Sequence, residues 1–346
     1  MRLPIPATLR RRVWVKALYY VADDWRQGRR FSRGVRSTTS GTILKGKDIQ
    51  ESVGYIETEF HDYLEYGGLN VSEFGGKRIL VVGPGDNLGV GSLFVSHGAS
   101  QVVCVDKFEP ERDRTHLSKV YLALRERLDR GLRERFDSSF IGDLRGNWEY
   151  NPQRLAYLTG TGLEDCGERF PPGHFDLVFS RAVIEHLYDP DRAFLAMDRL
   201  LAPGGKMAHK IDLRDHEMFS AGGNHPMTFL IFPGWMWRRM TERSGKPNRR
   251  MYPYYARKVR ESGYDATLYI THVFGREGDL VPHPPSLREG VDYDEPLLRM
   301  VRGIRGRLNR EFRDYSDEEL LISGVFLSAR KPLPVPEATT SSKRRS

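Results

Sequence analysis

The spacing of hydrophobic and polar positions divides the chain into a helical N-terminal part and a longer part rich in short apolar runs. Between residues 9 and 25, apolar side chains recur at helical spacing among arginines, which predicts an amphipathic basic helix. A second helical pattern extends from Asp48 to Tyr66 and ends at a pair of glycines. From Lys77 onwards the pattern changes, because apolar and β-branched residues now come in runs of strand length.

Seven such runs follow, and helical patterns over 93–97, 116–136 and 191–201 lie between the first five of them. The runs are RILVV (78–82), QVVCV (101–105), RLAYLTG (154–160), FDLVFS (175–180), KMAHKIDL (206–213), LYITHVF (268–274) and ISGVFLSAR (322–330). Continuous apolar strands that alternate with helices are typical of sheets covered on both faces. The pattern therefore predicts an α/β fold with a doubly wound, mostly parallel, seven-stranded Rossmann-like sheet.

The same pattern predicts the organisation of the chain into three parts. These are a basic N-terminal extension over 1–47, one domain over 48–330, and a Pro/Ser/Thr-rich tail over 331–346 that we expect to be disordered. The core of the domain is predicted over 77–213. Two insertions, over 214–265 and 275–320, are predicted after the fifth and the sixth strand.

Composition narrows the class of protein. The 346 residues are 39% hydrophobic and 29% charged, as in soluble globular proteins. We find no apolar run of bilayer-spanning length and no signal-peptide pattern, and two cysteines cannot form a disulfide framework. We therefore expect a cytoplasmic protein. The net charge of +8 is compatible with acidic partners such as nucleic acid, anionic lipid or a phosphorylated substrate.

The N-terminal helix concentrates this positive charge. Residues 1–36 hold ten Lys and Arg against two Asp, together with Trp14 and Trp25. A basic amphipathic helix with tryptophans suits the surface of an anionic membrane. It is also compatible with a helix that packs on its own protein with its charges outward, so a peripheral membrane contact stays open at this point.

A glycine loop follows the first predicted strand and indicates the kind of ligand. Gly83 and Gly85 match the start of the dinucleotide fingerprint, but Leu88 stands where the third glycine is required. Asp106 ends the next strand, where a carboxylate accepts hydrogen bonds from ribose hydroxyls. Both features fit S-adenosylmethionine, a nucleoside cofactor without phosphates, whereas Leu88 and the lack of a second nucleotide-binding half disfavour a nicotinamide dehydrogenase.

Four segments carry a resemblance to a known family. ILVVGPGDN, VVCVD, FDLVFSRAVIEHLYDP and LLAPGGKMAHKID, all within 77–213, resemble the class I S-adenosylmethionine-dependent methyltransferases. The resemblance implies a methyltransferase that uses S-adenosylmethionine as cofactor. It also implies that the cofactor is held by residues of the glycine loop and of the loops after the second, third and fourth strands: Gly83, Pro84, Gly85, Asp86, Asn87, Asp106, Lys107, Gly162, Leu163, Ser180 and Arg181.

The sequence departs from the family pattern at two positions. Val81 stands where the first strand usually carries an acidic residue, so that either the cofactor binds more weakly or Asp86 takes over this role. The loop after the third strand has Thr161, Gly162 and Leu163 in place of the usual Asp-Ala pair, and Glu164 or Asp165 would substitute in contacting the adenine.

Candidate catalytic residues follow the fifth predicted strand. A methyl transfer to a hydroxyl requires a nucleophile aligned with the methyl group and usually a base that removes its proton. The segment HKIDLRDH predicts His209 as this base, Asp212 as the residue that orients it, and His216 as the alternative base. The same side chains could also form a divalent metal site, although we predict no metal.

The densest aromatic segment, residues 226–256, is interleaved with arginines. Such a segment can stack on a sugar and pair with phosphate, can grip single-stranded nucleic acid, or can pack as a helical lid with Trp235 and Trp237 in its core. We predict O-methylation of a small-molecule or saccharide or glycolipid-type acceptor. The alternative is an RNA-directed methyltransferase, or a basic nucleic-acid-binding module without turnover.

Overall fold

A computed structural model describes residues 12–38 and 47–334 of the chain. The start of the predicted N-terminal helix, at residues 9–11, and the predicted disorder of the tail from residue 335 onwards lie outside the described residues.

One seven-stranded sheet forms the centre of the fold and confirms the predicted fold class. Its strands are β1 (Arg78–Val82), β2 (Gln101–Asp106), β3 (Leu155–Thr159), β4 (Phe175–Arg181), β5 (Leu201–Asp212), β6 (Asp265–Val273) and β7 (Ile322–Arg330). They lie in the order β3-β2-β1-β4-β5-β7-β6. In this order, the strands from β3 through β5 pair in parallel with their neighbours. Strand β7 runs antiparallel to both of its neighbours, β5 and β6. The carboxyl ends of β1, β2, β4 and β5 therefore share one edge of the sheet, which is where ligands bind in open α/β sheets.

Helices cover both faces of this sheet. They are α1 (Val13–Ser32), α2 (Ile49–Glu65), α3 (Gly89–Ser96), α4 (Arg114–Glu126), α5 (Arg130–Asp137), α6 (Leu163–Cys166), α7 (Pro190–Leu200), α8 (Gly234–Thr241), α9 (Tyr252–Ser262), α10 (Glu295–Arg305), α11 (Arg310–Arg313) and α12 (Asp317–Leu321). Asp48 and Glu51 form a capping box that fixes the start of α2. The single helical pattern predicted over 116–136 is in fact two helices, because Asp129 adopts an extended conformation and starts α5.

Two hydrophobic layers lie on opposite faces of the sheet. Val178 and Ile211 belong to one layer, whereas Phe179 and Ala208 belong to the other. This alternation follows from the period of two in a strand. It decides which side chains at the ligand edge can meet each other.

The N-terminal helix α1 docks on the rest of the protein through polar contacts. Lys16 donates a hydrogen bond to the carbonyl of Phe219 at 3.3 Å, and Asp24 accepts the backbone N–H groups of Arg243 and Ser244 at 2.8 and 2.9 Å. Hydrogen bonds to backbone groups satisfy the buried charges of Lys16 and Asp24, which explains why these two side chains can face inward. The prediction that this helix packs on the protein with all its charges outward is therefore only partly correct. None of the helices in the described ranges combines the length and the apolarity that crossing a bilayer requires.

Candidate active site

The glycine loop after β1 leaves room for a ligand against its backbone. Gly83 and Gly85 have φ angles of +62° and +72°, in the left-handed region that favours glycine. A Cβ at Gly83 would lie 2.4 Å from a methyl group of Val183, so this glycine permits close packing on the segment after β4. Among the described residues, no heavy atom beyond Gly85 and its two chain neighbours lies within 4 Å of a Cβ built on Gly85. A side chain there would fill the space in which a cofactor could contact the loop.

The next two loop residues shape the loop from inside. The side chains of Asp86 and Asn87 are both buried, and Asn87 accepts the N–H of Gly89 at 2.9 Å at the start of α3. Arg112 donates hydrogen bonds to the carbonyls of Gly85 and Asp86, at 3.1 and 3.2 Å. Arg112 could not be recognised from the sequence pattern, because it reaches the loop from a segment beyond β2.

Asp106 lies at the carboxyl end of β2, beside this loop. Its carboxylate accepts the N–H of Phe108 at 2.9 Å, and its burial raises the pKa of the carboxyl to about 6. A desolvated carboxylate gains from further donors, so hydroxyl groups of a ligand would stabilise its ionised form.

The loop after β3 completes this side of the edge. Glu164 accepts the N–H of Tyr188 at 3.0 Å with one oxygen, while its other oxygen and the hydroxyl of Thr161 are buried and make no hydrogen bond with the described residues. A Cβ on Gly162 would lie 2.7 Å from Glu164 and 3.5 Å from the side chain of Lys107, so the structure brings these three residues together. Leu163 is buried in the core instead.

These features fit S-adenosylmethionine. The space over Gly85 suits a ligand pressed against backbone, and the unpaired buried atoms of Thr161 and Glu164 offer hydrogen bonds to a polar ring. Asp165 is turned away from this region and forms an ion pair with Arg192 at 2.9 Å.

The predicted pair of His209 and Asp212 does not form. Side chains three positions apart on a strand point to opposite faces of the sheet, and the two residues separate accordingly. His209 is fully buried and shares a 2.8 Å hydrogen bond with the hydroxyl of Ser180. Burial lowers the pKa of His209 to about 3, which keeps the ring neutral. Arg181, on the other face, forms an ion pair with Asp62 of α2.

Asp212 instead faces His216 at the carboxyl end of β5. The Nε2 atom of His216 lies 3.5 Å from Asp212 and 3.8 Å from Glu185, and Arg214 donates two hydrogen bonds to Asp212 at 2.8 and 2.7 Å. Burial alone would lower the pKa of His216, but the hydrogen bond and charge of Asp212, followed by the charge of Glu185, raise it. Burial alone would raise the pKa of Asp212, but His216 and Arg214 lower it.

Glu185 was missed by the sequence analysis. It lies in the 3₁₀ turn Ile184–His186 after β4, is 2% exposed, and makes no hydrogen bond with the described residues through either carboxyl oxygen. Burial raises the pKa of Glu185 to about 8, and burial lowers the pKa of His186 to about 3. Glu185, His186 and His216 each offer one ligand atom, all within 4.8 Å of one another, so among the described residues this group is able to hold a metal ion.

A polar pocket of about 190 Å³ adjoins this group at the ends of β4, β5, β6 and β7. Its lining is mainly charged or polar and includes Arg181, Lys210, Asp212, Arg214, His272 and Asp279.

The aromatic segment 226–256 is largely internal. Phe229, Phe232 and Trp237 are buried, which agrees with a packed lid. Trp235 is 64% exposed, so its prediction as a core residue is wrong.

The middle of the chain matches a known protein family. A family model described as a methyltransferase domain matches residues 149–209, which contain β3, β4, α7 and most of β5. No curated protein sequence matches the chain.

Three similar solved structures are distant in sequence from this chain. Phosphoethanolamine N-methyltransferase 2 from Haemonchus contortus is 17% identical with a TM-score of 0.39, and the match covers 80% of this chain and 53% of that chain. An S-adenosylmethionine-dependent methyltransferase from Mesorhizobium loti is 17% identical with a TM-score of 0.38, over 80% and 100% of the two chains. An arsenic (III) S-adenosylmethionine methyltransferase from Chlamydomonas reinhardtii is 17% identical with a TM-score of 0.37, over 82% and 74%. The chain thus spans about half the length of the Haemonchus protein.

The family match across β3 to β5, the strand order and the glycine loop agree with one another: residues 149–209 are similar to a methyltransferase domain, within a chain that has a Rossmann-like α/β fold.

Proposed function

We propose that the protein methylates a hydroxyl oxygen of a saccharide or glycolipid-type acceptor bound at the carboxyl ends of β4 and β5. The observation that carries this proposal is the group formed by His216, Asp212 and Glu185 at that edge. It combines an imidazole held by a carboxylate with a buried carboxyl group that has no hydrogen bond to the described residues.

The proposed cofactor site uses the residues on the neighbouring part of the same edge. The backbone of the loop from Gly83 to Asn87 would contact the cofactor, Asp106 would accept its ribose hydroxyls, and Thr161 and Glu164 would bind the adenine. Lys107 and Gly162 line the same space. When bound, S-adenosylmethionine supplies a methyl group activated by its positively charged sulfur.

His216 is the proposed general base. Because Nε2 faces both acids, Asp212 holds the ring through Nε2 and leaves Nδ1, which is turned away from them, to take a proton. As the acceptor oxygen gains the methyl group, its proton passes to His216, and the negative charge of Asp212 stabilises the imidazolium. His209 is a weaker choice for this role, because its low pKa makes the ring a poor base.

Glu185 and His186 would bind the acceptor. With a pKa of about 8, the Glu185 carboxyl is mostly protonated at neutral pH and is able to donate a hydrogen bond as well as accept one. His186 remains neutral and offers its buried Nδ1 as an acceptor. Hydroxyl groups satisfy both partners, and the polar pocket beside them suits a ligand with many hydroxyls.

The aromatic segment favours a small acceptor over RNA. Phe229, Phe232 and Trp237 are buried and are not available to stack on bases. Arg249 is buried as well and donates hydrogen bonds to the carbonyls of Phe229 and Phe232 at 3.1 and 2.7 Å, which makes it a structural residue.

The test compares two histidine variants in a transfer assay with tritiated S-adenosylmethionine and a total cell extract that contains small metabolites, lipids and RNA. His216→Gln should lower the transfer rate about 10²–10⁴-fold while the calorimetric affinity for S-adenosylmethionine stays the same. His174→Gln is the matched control, because His174 precedes β4 and so lies at the opposite edge of the sheet.

Three outcomes would contradict the proposal. Equal rates in the two variants would remove His216 as the base. Loss of transfer on chelation, restored by a divalent cation, would show that the group holds a metal. Label that mass spectrometry finds only in RNA would replace the saccharide-type acceptor by the RNA alternative.

A further inference from the structure

The exposed tryptophans in the described part of the chain all lie on two helices that pack against each other. Trp14 and Trp25 on α1 are 60% and 54% exposed, and Trp235 on α8 is 64% exposed. The other two tryptophans, Trp148 and Trp237, are buried. Large apolar side chains that gather on one exposed surface usually mark an interaction site.

The outward face of α1 is a continuous stripe. Trp14, Leu18 and Trp25 are spaced by four and seven residues, which places them on one side of the helix, and Leu18 is 67% exposed. Arg29 extends the stripe by one turn, and its guanidinium lies 4.3 Å from the ring centre of Trp25. The docked face of α1 lies away from the stripe, since Lys16 and Asp24 are buried there against backbone groups. At the start of the stripe, the half-exposed ring of Trp14 also packs edge-on against Phe232, with ring centres 5.5 Å apart.

The charge around this stripe is positive. The exposed arginines of the two helices and their flanks include Arg12, Arg29, Arg33, Arg238, Arg239 and Arg243, against the exposed acid Glu242 at the end of α8. The two acids of α1 do not offset them, because Asp24 is buried and Asp23 forms a 2.7 Å ion pair with Lys246. Tryptophan and leucine surrounded by arginines have the composition of surfaces that lie at the boundary between lipid head groups and acyl chains.

We propose that this α1–α8 surface binds an anionic lipid bilayer. Tryptophan and leucine side chains would enter the head-group region, and the arginines would pair with lipid phosphates. A second copy of the chain is a poorer occupant, because a twofold contact would bring the same arginines of both copies together.

The position of α1 connects this surface to the candidate active site. Its inner face contacts the residues that directly follow His216: Tyr20 donates to the carbonyl of Met218 at 2.9 Å and Lys16 to that of Phe219 at 3.3 Å. A bilayer on the outer face would therefore lie about one helix diameter, roughly 10 Å, from this loop. This would give the site access to a lipid-borne acceptor, a step that rests on the proposed function; the lipid binding itself does not.

The test is co-sedimentation of the full chain with vesicles of phosphatidylcholine, with or without phosphatidylglycerol, at low and high salt and without S-adenosylmethionine. We expect binding to the anionic vesicles, weakened by salt. Arg29→Ala should lower the partition coefficient about fivefold, because one basic residue near an anionic lipid surface typically contributes about 1 kcal/mol to binding. The double variant Trp14→Ser/Trp25→Ser should lower it by roughly tenfold or more.

The matched controls lie on another exposed part of the chain. Ile141→Ser and Arg145→Ala change one exposed apolar and one exposed basic residue of the short hairpin between Phe140 and Tyr150, and should leave binding unchanged. Equal binding to both kinds of vesicle, or equal effects in the controls, would overturn the proposal. A dimer in sedimentation equilibrium that the tryptophan variants abolish would also overturn it, since the surface would then join two copies. Because the assay contains no methyl donor, these results are independent of the proposed reaction.

Discussion

Replacing Asp212 by asparagine should move the acid limb of the turnover profile to lower pH. A protonated His216 cannot accept a proton, so turnover in the wild type is lost as the pH falls through the raised pKa of His216. The ionisable groups around this ring are Asp212, Glu185 and Arg214, and the ring of His186 packs beside it at 4.7 Å. Removing the Asp212 carboxylate takes away the largest influence that raises the pKa of His216, and leaves burial and Arg214, which lower it, against Glu185, which raises it.

The size of the shift follows from the distance between the two groups. Asp212 and His216 lie 3.5 Å apart, with side chains 24% and 29% exposed. Two unit charges at about 4 Å interact by about 4 kcal/mol at an effective dielectric constant of 20, and about 1.4 kcal/mol corresponds to one pKa unit. An interaction of that size corresponds to about three pKa units, and opposite charges at such distances typically shift a pKa by about 1–3 units. We therefore expect the acid limb to move down by about 1–3 pH units.

The assay is kcat against pH at saturating S-adenosylmethionine for the wild type, Asp212→Asn and the control Asp198→Asn. Asp198 is paired with Lys331 and Tyr264 away from the ligand edge, so this variant should keep the wild-type limb. The plateau of Asp212→Asn should fall as well, because the imidazolium loses its counter-charge. An unchanged acid limb in Asp212→Asn would refute the pairing, and an upward shift would refute the sign of the argument.

Two further predictions concern the cofactor. Gly85→Val should abolish S-adenosylmethionine binding in calorimetry, whereas Gly263→Val, at a glycine with a similar φ of +67° and equally open surroundings, should lose similar stability but bind normally; normal binding by both variants would place the cofactor elsewhere. Asp106→Asn should weaken binding by about 1–3 kcal/mol, and the affinity of the wild type should fall below about pH 6, where the Asp106 carboxyl gains its proton; an affinity independent of pH would contradict this role.

Much of the fold could be predicted because the strands that are buried on both faces are continuous apolar runs. RILVV and ISGVFLSAR became β1 and β7 at their predicted bounds. The insertion of β7 between β5 and β6, antiparallel to both, could not be predicted, since strand direction is set by pairing between distant segments. The hairpin of Phe140–Gly142 and Trp148–Tyr150 was missed because three-residue strands carry too little pattern.

Some residues of the candidate site could likewise be predicted from the sequence, and others could not. The glycine loop and Asp106 were recognisable because backbone conformation and strand ends leave a local pattern. Arg112 and Glu185 were not, because their significance comes from neighbours that only the folded chain supplies: Arg112 reaches a loop 26 residues before it. The pairing of His209 with Asp212 was wrong although both residues lie on the predicted strand, since proximity in sequence does not place side chains on the same face.

Backbone strain is concentrated after β4 and β5, where the acceptor is proposed to bind. Four non-glycine residues in the described ranges have positive φ, and three of them, Ala182, His216 and Glu217, follow β4 and β5 at the candidate site. Such conformations cost roughly 1–3 kcal/mol each and persist only where surrounding contacts impose them. At Glu217 the contact is visible, since its N–H bonds to Asp215 at 3.1 Å, and Asp215 also accepts the N–H groups of Phe219 and Ser220. The Asp215 carboxylate therefore fixes the turn that carries His216 towards Asp212, and the same turn supplies the backbone on which α1 docks. One acid thus links the orientation of the proposed base to the helix that forms the proposed lipid-binding surface.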